Sequence, residues 1–149
     1  MPTVKAIPDG YHSIQPYLIF KNTAEAISFY VKAFGATERL RMNGPDGRIG
    51  HSEIQIGDSC MMMADENPAA GVTSIQHYGG SPVSFAVYIE DCDAVYAQAI
   101  AAGAASLYQP TDKPYGDRMG GVKDPFGFHW HLGTHIKDLT KAELENLKM

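Results

Sequence analysis

The chain has 149 residues, 44% of them hydrophobic and 19% charged, with 12 Lys and Arg against 17 Asp and Glu for a net charge of −5. This length can bury a core without disulfides or a structural metal, and the ordinary composition excludes a wholly disordered chain. The acidic balance argues against a nucleic-acid partner, and no apolar run nears the roughly 18 residues that span a bilayer.

In chain order, residues 1–13 read as a polar leader. Its opening Met1-Pro2-Thr3-Val4-Lys5-Ala6 lacks the apolar region of a secretory signal. Ile14–Phe20 reads as a strand, which Pro16 confines to a sheet edge or a strand start. Asn22 or Thr23 caps a helix with an apolar stripe of Ala26, Ile27, Phe29, Tyr30, Ala33 and Phe34, stopped by Gly35. Ala36–Met42 is a strand, Asn43–Gly47 a turn, and Ile49–Gly57 with Ser59–Asp65 a hairpin about Asp58. Residues 66–82 show little pattern and read as a linker. Val83–Ile89 is a strand, and Asp91 or Asp93 caps a helix ending at Gly103, with Ala94, Val95, Ala97, Ile100 and Ala101 on its apolar side. Ala104–Tyr108 is a strand, Thr111–Arg118 a loop, Met119–Lys123 a short strand, Asp124–Gly127 a tight turn and Phe128–Thr134 the last strand. Residues 138–149 read as a short polar tail helix starting near Asp138 or Thr140. Cys60 and Cys92 read as unpaired thiols of a cytoplasmic protein, Cys92 at an exposed helix cap.

The order strand–helix–strand–strand–strand occurs twice. Gly103 follows Gly35 by 68 positions, Asp124 follows Asp58 by 66, and Asp91 follows Asn22 by 69. Such agreement indicates a duplicated βαβββ unit. The organisation is then a leader (1–13), a first module (14–65), a linker (66–82), a second module (83–137) and the tail, together one domain.

Three stretches are similar to a known family: Pro16–Phe20 followed by Ala24–Tyr30 and Phe34-Gly35, then His51–Ser59, then Tyr115–Gly127. On these the chain resembles the vicinal oxygen chelate superfamily of glyoxalase I, bleomycin-resistance proteins and extradiol dioxygenases, and within it the PhnB-like branch. The resemblance covers roughly residues 14–137. It implies an α+β fold in which two βαβββ modules form a cupped mixed sheet, and a homodimer. In the metal-dependent members, four inward side chains from the first and last strands of each module hold one divalent metal. Carried over singly, these positions fall at Gln15, at or next to Met63, near Ser84, and at His131. A soft thioether, an amide, a hydroxyl and one imidazole make a poor set for a first-row metal. Gln15 and His131 are the two candidate metal ligands, for Zn, Ni, Fe or Mn.

His129 and His131 share one strand face, as ligands or as lining of a cavity mouth. His51, Glu53 and Gln55 share another. A two-residue hairpin across Gly57-Asp58-Ser59-Cys60 is expected to pair Gln55 with Met62 and Ile54 with Met63; with Met63 facing the cup, His51 and Glu53 face away, and a bulge or longer turn would reverse this. Met61 and Met63 read as core or as a deformable ligand wall. Asp117 and Arg118 read as an exposed loop pair, the alternative being a gate to the cup. The favoured function is metal-free binding of a small, partly apolar or aromatic molecule by Tyr17, Met61, Met63, Ser84, His129 and His131, with neither nucleic acid nor membrane as partner. The alternative is a metal-dependent lyase, isomerase or dioxygenase acting on a small oxygenated substrate.

Overall fold

The computed structural model describes residues 3–149; Met1 and Pro2, the first residues of the expected leader, lie outside them. The chain divides into two compact units, Met1–Gly80 and Ser81–Met149.

In the first unit β1 (Tyr17–Phe20) leads into α1 (Thr23–Phe34), followed by β2 (Thr37–Asn43), β3 (Ile49–Ile56) and β4 (Ser59–Asp65). The sheet order is β1-β4-β3-β2, with β1 parallel to β4 and the other pairs antiparallel. β1 begins three residues later than expected. Pro16 has no N–H to give a neighbour, and only its carbonyl is used, accepting from Met62 N; Ile14 is left 85% exposed. Asn22 caps α1 by accepting from Glu25 N, and Gly35 ends it in the left-handed conformation at φ 67°. Thr23, Ala26, Ile27, Phe29, Tyr30 and Ala33 are its buried stripe. Asp65, at the end of β4, accepts from both Thr23 N and Ile49 N and so ties helix, β3 and β4 together. The hairpin pairs Gln55 with Cys60 rather than with Met62. That shift of two residues keeps every side chain on its expected face. Segment 66–82, expected as patternless, carries a 3-10 turn (Pro68–Ala70) and α2 (Ile75–Tyr78).

The second unit repeats the plan with β5 (Ser84–Tyr88), α3 (Cys92–Ala102), β6 (Ala105–Asp112), β7 (Asp117–Lys123) and β8 (His129–His135), in sheet order β5-β8-β7-β6. Asp91 caps α3, and Thr134 stands where Asp65 stands in the first unit: its hydroxyl accepts from Cys92 N and donates to Ile89 O. α3 has 11 residues where α1 has 12, which explains why the repeat spacing drops by one between the helix caps and the glycine stops.

Four local expectations change. Cys92 is 1% exposed, because it is the first residue of α3 and its thiol turns in toward Arg118 O. α3 buries Cys92 and Ala99, while Ile100 is exposed; a helix apolar on all sides gives no pattern from which to choose a face. β6 runs on to Asp112 past Pro110, which an edge strand tolerates, with register breaks on either side of Tyr108. The tail helix shortens to α4 (Lys141–Glu145), held by a Thr140–Glu143 capping box. Both cysteines are free, and among the described residues no helix is long and apolar enough to cross a membrane.

Candidate functional site

Each sheet has one face under its helix and one face without it. In the first unit the Phe20 ring meets Tyr30 of α1 at 6.2 Å, so Phe20 and, by alternation, Leu18 face the helix. Leu18 pairs with Met63, which pairs with Ser52; Met61 pairs with Ile54. All of these lie on the helix side. Met61 and Met63, 4% and 0% exposed, therefore pack in the core beneath α1 and not beside Tyr17. The helix-free face presents Tyr17 and Ile19 from β1, Met62 and Ala64 from β4, and His51 and Glu53 from β3.

A hydrogen-bonded chain crosses that face. Tyr17 Oη lies 2.8 Å from His51 Nδ1, His51 Nε2 lies 3.1 Å from Glu53 Oε1, and Tyr11 Oη donates to Glu53 Oε2 at 2.6 Å. The Arg39 guanidinium sits over the Tyr11 ring and donates to Gly10 O, fastening the leader to the sheet. Glu53 is only 4% exposed. Burial pushes its carboxyl up, but hydrogen bonds from Tyr11 and His51 outweigh burial and hold it below the usual range. Burial and the nearby Glu53 charge raise Tyr17, so its phenol stays protonated at neutral pH. Tyr17 also lines a concavity of about 830 Å³ whose walls include Ile19, Ile49 and Ala64, with Asp46 and Arg48 of the β2–β3 turn on its border. That volume is in the range of small-molecule sites.

In the second unit Phe85, Trp130 and Leu132 lie on the helix side, and Phe85 packs on Trp130 at 4.7 Å. Ser84, Ala86, Tyr88, His129 and His131 occupy the other face. The Tyr108 hydroxyl lies 2.8 Å from His131 Nδ1, and the two rings stack at 5.9 Å. Tyr108 crosses Gly121: a Cβ there would lie 2.2 Å from its ring, so the stack needs a glycine at this position. Asp117 and Arg118, expected as an exposed pair, lie in β7 and part company. Arg118 forks onto Asp93 and reaches Asp112, while Asp117, 5% exposed, accepts from Tyr88 Oη and contacts His135 Nδ1 at 2.7 Å.

Burial pushes Asp117 up, but bonds from His135 and Tyr88 outweigh it and hold it low; the same contact, with Asp138 beyond it, raises His135. Glu53 and Asp117 thus add stability above the ordinary carboxyl range near 4, which is lost as pH falls through their lower folded values. His135 adds stability below about 6.5 that is lost as pH rises through its higher folded value. Urea midpoints across pH should therefore decline on both sides. His135→Gln should flatten the alkaline decline and weaken the Asp117 share of the acid one, leaving the Glu53 share; an unchanged alkaline slope in the variant would contradict the assignment.

A family model described as the Glyoxalase/Bleomycin resistance protein/Dioxygenase superfamily matches residues 12–132. The chain belongs to this superfamily. An uncharacterized protein of Mycobacterium bovis is 38% identical over 136 residues, which is 89% of this chain and 90% of that protein. Among solved structures, an Arabidopsis thaliana gene product is 26% identical at TM-score 0.65, covering 82% of this chain and 98% of its own. A PhnB protein from Bacillus cereus is 20% identical at TM-score 0.63, covering 83% and 99%, and shows the fold alone.

The divalent metal that the superfamily resemblance implies does not fit the side chains at the four carried-over positions. Gln15 Oε1 already accepts from His12 N. The first-unit counterpart of His131 is Met62, since Asp65 and Thr134 hold equivalent places and each lies three residues farther on. Ser84 supplies a hydroxyl, and His131 has one ring nitrogen engaged by Tyr108. No carboxylate is among them. The groupings of His51 and Glu53 with Tyr11 and Tyr17, of Tyr108 with His131, and of Asp117 with Tyr88 and His135 emerge only in three dimensions. For His51 and Glu53 the strand alternation was the available signal, and fixing Met63 as the inward residue inverted it.

Proposed function

We propose that the protein binds a small, partly aromatic, oxygen-bearing molecule on the helix-free faces of its sheets, as a PhnB-like member of its superfamily and without the four-ligand metal site. The observation that carries this is the first-unit concavity, apolar along Ile19, Ile49 and Ala64 and lined as well by Tyr17. Tyr17 offers a ring to stack on and an oxygen to bond. In the second unit Ser84, His129 and His131 offer polar contacts on the corresponding face. Met61 and Met63 back the first-unit sheet from its helix side. The reading extends to a homodimer acting in the cytoplasm, supported by the family resemblance and by the two unpaired thiols.

Calorimetric titration with 4-methylphenol tests the reading. Saturable binding is expected, weakened about tenfold by Tyr17→Ala through loss of a ring contact and one hydrogen bond. Absence of saturable binding, or equal affinity in the variant, would refute it. Stoichiometric metal in protein purified without a His tag, lost in His131→Ala, would restore the metal-dependent lyase, isomerase or dioxygenase.

A further inference from the structure

The direction of the hydrogen bonds along Tyr17, His51 and Glu53 carries a consequence for the ligand. Glu53 is ionised at neutral pH, so both its oxygens only accept. The His51 nitrogen 3.1 Å away must then donate, and an imidazole carrying a single proton meets this only in the Nε2–H form. Its other nitrogen, Nδ1, is left as an acceptor. Tyr17 Oη at 2.8 Å therefore spends its single proton on His51. Tyr11 Oη closes the far end of the chain on the second Glu53 oxygen, so the carboxylate is held from both sides.

We propose that Tyr17, which lines the first-unit concavity, turns its Oη to a ligand there as an acceptor only, its proton held by His51 and Glu53, and that it selects ligands bearing a hydroxyl donor on an aromatic body over those with only acceptors. This rests on the binding reading above. A ligand O–H donates to the free lone pair of Tyr17 Oη while Tyr17 goes on donating to His51, and no covalent bond forms or breaks. An aryl ether or a ketone of the same shape finds no donor at this atom and leaves the phenol oxygen without its second partner. Glu53 and His51 act as positioning residues, since Tyr17 is the one that lines the concavity.

The test compares 4-methylphenol with 4-methylanisole, which keeps the ring and loses the proton. The phenol is expected to bind about fivefold tighter, the worth of one net hydrogen bond. Tyr17→Phe should abolish the preference while ether affinity stays within about twofold. His51→Leu, which frees the Tyr17 proton to turn toward the ligand, should reduce the preference with the ring still in place. Glu53→Gln should do the same more weakly, because an amide supports either His51 tautomer. Equal binding of phenol and ether by the natural protein, or a preference that survives in His51→Leu, overturns the proposal and leaves the binding reading standing. Failure of both probes to bind overturns the binding reading, and this proposal with it.

Discussion

Trp130→Ala is expected to lower stability by about 3–5 kcal/mol, the usual cost of emptying a large aromatic site. Trp130 is 1% exposed, packs against Phe85, and donates its indole N–H to Asp124 Oδ2 at 2.9 Å. The other Asp124 oxygen accepts from the backbone N–H groups of Phe126, Gly127 and Phe128, so it builds the turn between β7 and β8. Truncation therefore opens a void between helix and sheet and also removes one of the bonds that fix the turn carboxylate. Urea unfolding followed by circular dichroism measures the loss. Trp130→Phe, which fills most of the volume but lacks the N–H, should cost clearly less. A cost below about 1 kcal/mol for the alanine variant would show that the second-unit core does not rest on this residue.

Glu53→Ala should cost about 1–3 kcal/mol, because it leaves the half-buried Tyr11 hydroxyl and His51 N–H without their acceptor and releases the leader from β3. Tyr11→Phe removes only one bond and should cost about 1 kcal/mol. The difference between the two variants isolates the charged partner. If both cost the same, the carboxylate contributes nothing beyond its bond to Tyr11.

Much of the fold is legible along the chain because its signals are local. Asn22 and Asp91 cap helices that Gly35 and Gly103 end, and both observed caps stand at these residues. The faces of the hairpin are legible too, since side-chain alternation survives a slip of two residues. What alternation leaves open is which face the helix covers. That depends on where α1 comes to rest, and the Phe20–Tyr30 contact decides it between residues ten positions apart. Taking Met63 as inward from its family position inverted the sheet, so His51 and Glu53 read as remote from Tyr17. The Tyr11–Glu53 and Tyr17–His51 bonds join residues 42 and 34 positions apart, and the Tyr108–His131 bond spans 23. Pairings at those separations follow from sheet order, which no local spacing announces. In the second unit Asp117 reads as the partner of Arg118 because the two are adjacent in sequence, but both lie in one strand, where neighbours point to opposite faces.

The most direct test of the binding reading is a nitrogen-15 NMR titration of the full chain with 4-methylphenol. Saturable shifts are expected at the amides of Tyr17, Ile19, Ile49 and Ala64, which line the first-unit concavity, with little change at Met61 and Met63 on the helix side of the same sheet. Shifts that saturate elsewhere while these four stay still, or no saturable shift at all, would contradict it.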